Sequence, residues 1–235
     1  MIKGIYLSSR TLEVKSKNID TVASNIANIN TTGYKRQLPF SEVLMTNGQV
    51  NVKQYTDFRQ GELVATNSPL DAAIEGDGYF TLKTEDGTQY TRNGKFKISN
   101  EGFLINEQGF KVLGHGGEIN IFEFTTQDQQ DIKIKSNGEI KVGETVVDSL
   151  LVVRIEDEQN TARLSGLNFA ANEVNVSVLN DENYKVHQGY IEGSNVNPVV
   201  EMESMIRLNN EYESAAKMMK YLDQSLSQAN QIGKL

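Results

Sequence analysis

The chain has 235 residues, of which 38% are hydrophobic and 23% charged, as is usual for one large or two modest folded domains. Its formal net charge of -8 argues against binding to nucleic acid phosphates or to anionic lipid surfaces. The absence of cysteine excludes disulfides and thiolate metal sites, and two histidines leave little for zinc or iron. We therefore expect no cofactor, no metal, no nucleic-acid partner and no small-molecule substrate.

The first predicted element is a helix over residues 3–30. Its apolar residues recur mainly at seven-residue spacing, which is typical of a helix that packs along one seam; they are Ile5, Leu12, Ile19, Val22, Ile26 and Ile29. Small residues beside the seam would let another helix approach closely; they are Ser8, Ser9, Ser16, Ala23 and Ser24. Gly33, followed by Pro39, predicts that the helix ends near Asn30. The chain shows neither the apolar segment of a cleaved secretion signal nor the ~18 apolar residues of a membrane span.

The middle of the chain is predicted to be β structure. Residues 36–70 lack a regular period, and we interpret them as an extended connector with an edge strand between Gly61 and Leu70. Residues 71–193 alternate apolar and polar positions between turn-forming pairs, and the strongest hairpin signals are Asp86-Gly87, Asn93-Gly94 and Asn137-Gly138. Between these signals, 94–114 is expected to continue as a meander of short strands. The middle carries about -11 of the net charge and is suited to facing water.

The last predicted element is a helix within residues 194–235. Asn197 and Pro198 suit an N-cap and a first helical residue. Apolar spacings of three and four then alternate through Met205, Leu208, Tyr212, Ala215, Met219, Leu222, Leu226 and Ala229. The acidic residues around this helix predict a solvated face; they are Glu192, Glu201, Glu203, Glu211 and Glu213. The two terminal helices can pair with each other or with copies from other chains, and the sequence permits both.

Two glycine-rich segments have the composition of functional loops. Gly114-His115-Gly116-Gly117 has the glycines of an oxyanion-hole loop, but no Gly-x-Ser-x-Gly motif accompanies it, and we predict a tight β-turn. Glu75-Gly76-Asp77-Gly78 has two acids but lacks the further oxygen ligands of a calcium loop, and we predict a glycine turn entering a strand at Tyr79. The chain is therefore predicted not to be an enzyme, since a hydrolytic β enzyme would need an acid pair that is not apparent.

Residues 23–35, Ala-Ser-Asn-Ile-Ala-Asn-Ile-Asn-Thr-Thr-Gly-Tyr-Lys, resemble the N-terminal signature of flagellar rod and hook proteins. Three further segments resemble the same family in the same order: Gly76–Phe80, Tyr90–Phe96 and Gly189–Asn197. The Glu201-Met202 and Ala229-Asn230 patterns extend this similarity over nearly the whole chain. The chain thus resembles the bacterial flagellar basal-body rod family, and it lacks the large inserted outer domains of hook proteins.

The resemblance implies an α+β fold, with a discontinuous terminal α-helical, coiled-coil-like core domain and a mainly antiparallel β middle domain. The implied parts are an N-terminal core helix at 1–35, a connector at 36–70, a β domain at 71–193 and a C-terminal core helix at 194–235. The implied protein is a rod subunit that polymerises helically through its terminal helices into the drive shaft that transmits torque from motor to hook.

The resemblance also implies location and partners. The chain would be exported by the flagellar type III apparatus without a cleaved signal and would reside in the basal body, in the periplasmic or cell-wall-spanning rod. Its partners would be copies of itself and other rod and hook axial proteins. The alternatives are a hook or hook-like axial subunit and, in a different class, a coiled-coil surface adhesin.

Two sets of residues are candidates for function. The candidate assembly interface is the apolar seam, with Ile5, Leu12, Ile19, Val22, Ile26, Met205, Leu208, Tyr212, Met219, Leu222 and Leu226. The family-motif residues are Asn25, Asn28, Thr31, Gly33, Tyr34, Asn195 and Asn197. No catalytic, cofactor-binding or metal-binding residue is predicted.

Overall fold

The computed structural model describes residues 2–38, 44–46, 49–51, 54–122, 132–158, 161–164, 167–170, 175–180 and 183–232. Two long helices lie at its ends, α1 (Ile2–Ala27) and α2 (Pro198–Ile232), and short strands fill the residues between them. The pairings of these strands are all antiparallel. The predicted α+β class, with a mainly antiparallel β middle between two helices, is therefore confirmed.

The strands are short, and their bounds follow in chain order. The first eleven are β1 (Gln37–Leu38), β2 (Leu44–Thr46), β3 (Gln49–Asn51), β4 (Tyr55–Thr56), β5 (Leu63–Ala65), β6 (Ala72–Gly76), β7 (Tyr79–Thr84), β8 (Gly87–Thr91), β9 (Phe96–Ile98), β10 (Leu104–Asn106) and β11 (Lys111–Gly114). The remaining ten are β12 (Gly117–Glu118), β13 (Ile132–Ile134), β14 (Glu139–Val142), β15 (Thr145–Ser149), β16 (Val152–Ile155), β17 (Ala162–Arg163), β18 (Asn168–Ala170), β19 (Val176–Val178), β20 (Tyr184–Gln188) and β21 (Tyr190–Glu192).

The chain divides into two compact units, each assembled from separate segments. The helical unit comprises Met1–Ile29, Arg36–Asp57 and Val196–Leu235. The β unit comprises Asn30–Lys35 and Phe58–Asn195. Each unit therefore combines segments that are far apart in the sequence.

In the helical unit, α1 and α2 pack along each other, and β1 pairs with β4 while β2 pairs with β3.

The start of α2 follows directly from the sequence. The Asn197 side-chain oxygen accepts hydrogen bonds from the backbone N–H groups of Val199 (3.0 Å) and Val200 (3.3 Å), and Pro198 is the first helical residue. The predicted cap is therefore confirmed. Helix α1 ends at Ala27, three residues before the predicted Asn30, because a turn follows it directly.

In the β unit, ten described strands form the largest sheet, in the order β17-β18-β8-β7-β11-β10-β9, with β12 on β11 and β16 joining β7 to β19. Smaller pairings are β13-β14-β15, β20-β6 and β21-β5. Strand β7 is buried on both of its faces. Phe80 and Leu82 belong to the main apolar core, whereas Tyr79 belongs to a second core with Val153 and Phe169, as the two-residue alternation of a strand requires.

Several predicted turns are confirmed. The Asn137-Gly138 pair joins β13 to β14, and the register places Ile132 opposite Val142 and Ile134 opposite Ile140, all four buried. The Asp86-Gly87 pair turns β7 into β8, with Thr84 opposite Gly87. Gly114 pairs with Gly117, so the segment between them is the predicted tight turn. Gly76 and Gly78, both at positive φ, form the predicted turn into β7 at Tyr79. Strands β9, β10 and β11 form the expected meander.

The Asn93-Gly94 prediction is wrong, because this pair does not close a hairpin. Strand β8 pairs with β7 and β18, whereas β9 pairs with β10. A two-residue hairpin turn of this type needs positive φ at both residues, and among described residues neither Asn93 nor Gly94 has it. Gly94 serves close packing instead, since a Cβ there would lie 1.6 Å from the carbonyl oxygen of Ala72.

Within the described part of the chain, neither helix is long and apolar enough to span a membrane.

Candidate functional site

The predicted seam lies between α1 and α2. Val22 and Leu208 are buried, and Tyr212 is 38% exposed. Partly buried positions make up the rest: Leu12, Ile19, Ile26, Met205, Met219, Leu222 and Leu226. The side chain of Ile5 lies outside the described residues. The described seam side chains are thus mostly buried or partly buried in a unit whose two helices pack along each other.

The two helices run antiparallel in a defined register. A Cβ built on Gly4 would lie 3.9 Å from a Leu222 methyl carbon, Lys15 forms an ion pair with Glu211, and Asn25 donates a hydrogen bond to Glu201 (3.1 Å). Steps of eleven and ten residues forward along α1 match equal steps backward along α2. The polar contacts therefore hold the same register as the apolar seam.

At one end of this helix pair, Asn25 is fully buried and ties three segments together. Its side-chain N–H group donates to the Gln37 carbonyl oxygen (2.7 Å), and its side-chain oxygen accepts from the Gln37 backbone N–H (2.9 Å). The same amide donates to Glu201, whose other carboxylate oxygen accepts from Arg36 Nε (2.5 Å). We call Asn25, Arg36, Gln37 and Glu201 the Asn25–Glu201 anchor; it joins α1, β1 and the first turns of α2.

A second buried ionic group lies in the β unit. The Lys35 ammonium group, fully buried, donates to Glu192 (2.6 Å) and to the carbonyl oxygens of Phe58 (3.2 Å) and Arg59 (2.8 Å). Glu192 also accepts the backbone N–H of Gly61 (2.9 Å) and forms an ion pair with Arg92 (3.4 Å). We call Lys35, Arg92 and Glu192 the Lys35–Glu192 anchor.

The neighbouring motif residues fit around this anchor. Gly33 has φ +68°, its N–H donates to the Glu192 carbonyl oxygen (2.8 Å), and a Cβ there would lie 2.6 Å from the Asn93 nitrogen. Only glycine therefore fits without strain. Tyr34 is buried beneath the Arg163 guanidinium, whose centre lies 4.4 Å from the ring centroid. Asn195 donates its backbone N–H to the Tyr34 carbonyl oxygen (3.4 Å), which ties the motif segment to the chain after β21.

The remaining motif residues have local roles. The Asn28 side chain donates back to the Ser24 carbonyl oxygen (2.8 Å) at the end of α1. The Thr31 carbonyl oxygen accepts from the Tyr34 N–H (3.3 Å) in the following turn, and Asn197 caps α2. The motif residues are therefore not gathered at one site; they support the chain where it leaves α1 and where it enters α2.

Burial sets the electrostatics of the Lys35–Glu192 anchor. Loss of hydration lowers the pKa of Lys35, which the nearby Glu192 carboxylate partly offsets. Burial likewise lowers the pKa of Arg163. Tyr79 is packed under the Arg92 guanidinium, 4.9 Å from its ring centroid, and donates to Glu158 (2.7 Å); burial raises the pKa of its hydroxyl. The lowered pKa values of Lys35 and Arg163 and the raised pKa of Tyr79 share one main cause, which is the burial of these groups among packed and ion-paired side chains.

The prediction of a solvated acidic face is wrong for Glu192 and Glu201, which are 1% and 0% exposed. A charge run is usually solvated, but these two carboxylates are each paired with an arginine or a lysine that the sequence places far away. A usable signal was Lys35-Arg36, two consecutive cations directly after the motif residue Tyr34. Arg92 lacks any such signal, because it becomes a partner only through the fold.

The described residues hold no group of three or more histidine, aspartate or glutamate side chains arranged for a metal ion. His187 lies at the surface, paired with Glu75 at 2.6 Å.

Comparison with known proteins matches three segments to family models. Residues 5–35 match the flagella basal body rod protein model, residues 73–142 the flagellar hook protein FlgE/F/G D1 domain, and residues 187–232 the flagellar basal body rod FlgEFG protein C-terminal model. Among similar curated proteins, the flagellar basal-body rod protein FlgF of Caulobacter vibrioides is 31% identical over 100% of both chains. FlgF of Buchnera aphidicola is 30% identical over 99% of this chain and 98% of its own, and FlgG of Agrobacterium fabrum is 29% identical over 96% and 97%.

The chain belongs to the flagellar basal-body rod protein family.

This membership confirms the resemblance seen in the sequence and identifies a structural protein of the flagellar basal body. The matched segments of this rod-family chain contain most of the two anchors. The first ends at Lys35, the second contains Arg92, and the third contains both Glu192 and Glu201. Arg36 and Gln37 lie outside the matched segments, and the other anchor residues lie in the parts shared with the rod family.

Proposed function

We propose that this rod-family chain polymerises helically through its terminal helices and so forms part of the drive shaft that transmits torque from motor to hook. The observation that carries the proposal is the antiparallel pairing of α1 and α2, which the partly exposed Lys15–Glu211 pair holds in register and the buried Asn25–Glu201 anchor stiffens. A shaft under torsion needs joints that do not bend, and buried, hydrogen-bonded side chains supply such rigidity.

In this proposal the seam residues give each subunit a coiled-coil-like helical core, and the parts at 1–35 and 194–235 act together as the assembly domain. The β domain at 71–193 lies outside the polymer core, whereas residues 36–57 of the connector at 36–70 belong to the helical unit. Subunits related by a rotation and a rise that do not close make a helical tube rather than a ring.

The proposed role is purely structural, without catalysis. The partners are copies of the chain, other rod and hook axial proteins, and the flagellar type III export apparatus, which would deliver the chain without a cleaved signal to the periplasmic or cell-wall-spanning rod. The family names of the relatives support assembly with axial proteins.

A hook or hook-like subunit is the second candidate, since the match over residues 73–142 is to a domain named for both hook and rod proteins. The two are separated by quantitative mass spectrometry of purified hook–basal bodies, before and after the hook is sheared away. Retention at a fixed, small stoichiometry is the result expected of a rod subunit. Loss with the hook would move the chain to the hook, and absence from both preparations would overturn both.

A further inference from the structure

The three-stranded sheet β13-β14-β15 has one face in the core of the β unit and one face in solvent. Ile132, Ile134 and Ile140 are buried in the main apolar core. Because side chains alternate along a strand, Lys133 and Lys141 lie on the other face, and the register places them directly opposite each other. The solvent face therefore carries two like charges side by side.

The charges on this solvent face do not cancel. Lys135 and Lys141 share a single carboxylate, that of Glu139, at 3.0 and 3.7 Å. Lys133 is exposed and forms no ion pair with any described residue. Val146, opposite Lys141 on β15, is 50% exposed beside them. We call these five residues the lysine face; it carries three cations and one anion.

The other carboxylates of β13-β14-β15 lie off the lysine face. Asp148 is opposite the inward-facing Ile140, and its carboxylate accepts hydrogen bonds from the Gly116 backbone N–H (3.1 and 3.2 Å). Glu144 lies in the turn that follows β14. The positive charge is therefore local to the lysine face.

A positive patch of this kind selects its partner by charge. Like charges directly opposite each other destabilise an antiparallel sheet, and proteins keep such costly features mainly where they have a function. The middle of the chain carries about -11 of the net charge, so the lysine face is a positive patch on a negative surface. It fits carboxylates on a small projecting element, since the surrounding acids would repel a broad anionic surface.

The β7-β8 hairpin ends in such an element. Its turn residues, 85–88, are all exposed. The carboxylates of Glu85 and Asp86 form no ion pair with any described residue, and the neighbouring Lys83 is paired with Glu118 (2.7 Å). We call residues 85–88 the acidic tip. The chain thus carries both a positive face and a projecting pair of carboxylates within its β unit.

The acidic tip and the three-stranded sheet join the rest of the β unit at opposite ends of β7. Strand β7 runs from Tyr79 to Thr84, which lies at the base of the tip. The three-stranded sheet continues through Leu150 into β16, where Val152 pairs with Phe80 near the start of β7. One copy can therefore place its tip on the lysine face of the next while its own lysine face receives a third copy.

We infer that the lysine face of β13-β14-β15 binds the acidic tip of a second copy of this chain. The inference rests on the proposed function and adds to it a contact between β units, apart from the terminal helices. Because the two surfaces differ, the contact is head-to-tail and continues from copy to copy without closing.

The absence of cysteine from the chain allows a test that leaves every charge in place. Thr88→Cys and Val146→Cys are introduced together into the chain in motile cells, and isolated hook–basal bodies are treated with a short bis-maleimide. Multimers of the chain are expected at about tenfold the level of either single variant, because thiols held at a contact have a high effective concentration. Thr88→Cys with Lys133→Cys keeps the test valid if Val146→Cys folds poorly.

The matched control is Thr88→Cys with Val64→Cys, which combines the same tip with another exposed valine of the β unit and should give no multimer.

Lys133→Glu separates the contact from folding. It places a glutamate opposite Lys141, which should stabilise the sheet, and it removes the net positive charge of the lysine face. In the chain with both cysteines we expect about tenfold fewer multimers, with no fall in the thermal midpoint of the purified variant. Reversal on both sides, Lys133→Glu and Lys141→Glu with Glu85→Lys and Asp86→Lys, should restore the multimers.

Multimers from Val146→Cys alone would show that the lysine face meets itself, and links only to a different protein would show another occupant; either result overturns the inference. An undiminished yield with Lys133→Glu also overturns it, as does a lack of multimers in basal bodies that contain both cysteines, although the proposed function would then stand. Absence of the unsubstituted chain from basal bodies would overturn both.

Discussion

Glu192 is the carboxylate on which two buried cations of the β unit depend. In Glu192→Gln, Lys35 and Arg92 would remain buried without their anion, and we expect a loss of about 3–5 kcal/mol in the free energy of unfolding. Urea unfolding followed by circular dichroism measures it. Glu75→Gln removes a carboxylate from an exposed pair and is the matched control, with no measurable change expected. Equal stability of the two variants would contradict a supporting role for Glu192.

Gly33 combines positive φ with a close backbone contact, and alanine there should be costly for both reasons. Gly109 also has positive φ, +90°, but a Cβ there would meet nothing within 4 Å. We expect Gly109→Ala to cost about 1–3 kcal/mol through backbone strain, and Gly33→Ala to cost more, because its methyl group would collide with Asn93. Thermal unfolding of the two variants makes the comparison, and a smaller cost at Gly33 would argue against the observed fit of the motif.

These residue-level roles were only partly accessible from the sequence. The need for glycine at position 33 was expected from its place after a helix, and its contact with Asn93 was not. The burial of Glu192 and Glu201 could not be predicted, because a carboxylate is buried only where a cation meets it, and their partners are 157 and 165 residues away in the chain.

At the scale of elements, the pairing of α1 with α2 should weaken in acid. The Lys15 ammonium lowers the pKa of Glu211 below its ordinary 4.5. The stabilisation by this pair is therefore fully present above pH 4.5 and is lost as the pH falls through the lowered value. We expect the thermal midpoint of the helical signal to fall between pH 6 and pH 3, and to fall less in Glu211→Gln; an identical fall in both proteins would show that Lys15–Glu211 contributes nothing.

The seam itself can be tested with Leu222→Asp. A carboxylate placed in the partly buried seam would separate α1 from α2, while the β unit, which contains no seam residue, should stay folded. Basal bodies should then lack the variant, whereas Gln224→Asp, at an exposed position two residues along, should be incorporated normally. Normal incorporation of Leu222→Asp would mean that the seam is not needed for assembly.

Element types were predictable where local patterns decide them. Seven-residue spacing indicated both helices, and Asn137-Gly138 between alternating apolar residues indicated its hairpin. Asn93-Gly94 shows the limit of this reasoning, because the same dipeptide does not form a hairpin turn here. Glycine is required at position 94 by the close approach of the Ala72 backbone. Pairings such as β5 with β21 join residues more than 120 positions apart, for which no short pattern exists.

At the scale of the whole molecule, we expect the β unit to fold without α2, whereas the helical unit should require it. A chain ended after Asn195 would retain all of the β unit but would lose α2. We expect it to keep the β circular dichroism signal and a cooperative transition, and to lose more helical signal than α2 alone contributes, because α1 would have no partner. Loss of the cooperative transition would show that the β unit depends on α2.

The hydrogen bond from the Asn195 N–H to the Tyr34 carbonyl oxygen has a consequence for the order of folding. Asn25 and Glu201 are 176 residues apart, so their direct encounter in an open chain is slow and entropically costly. The hairpins of the β unit form from near neighbours and so have a kinetic advantage. Once they have brought residues 34 and 195 together, the effective loop between the helices shrinks to a few tens of residues at most. We therefore expect the pairing of α1 with α2 to be completed last, after the β unit between them has already folded.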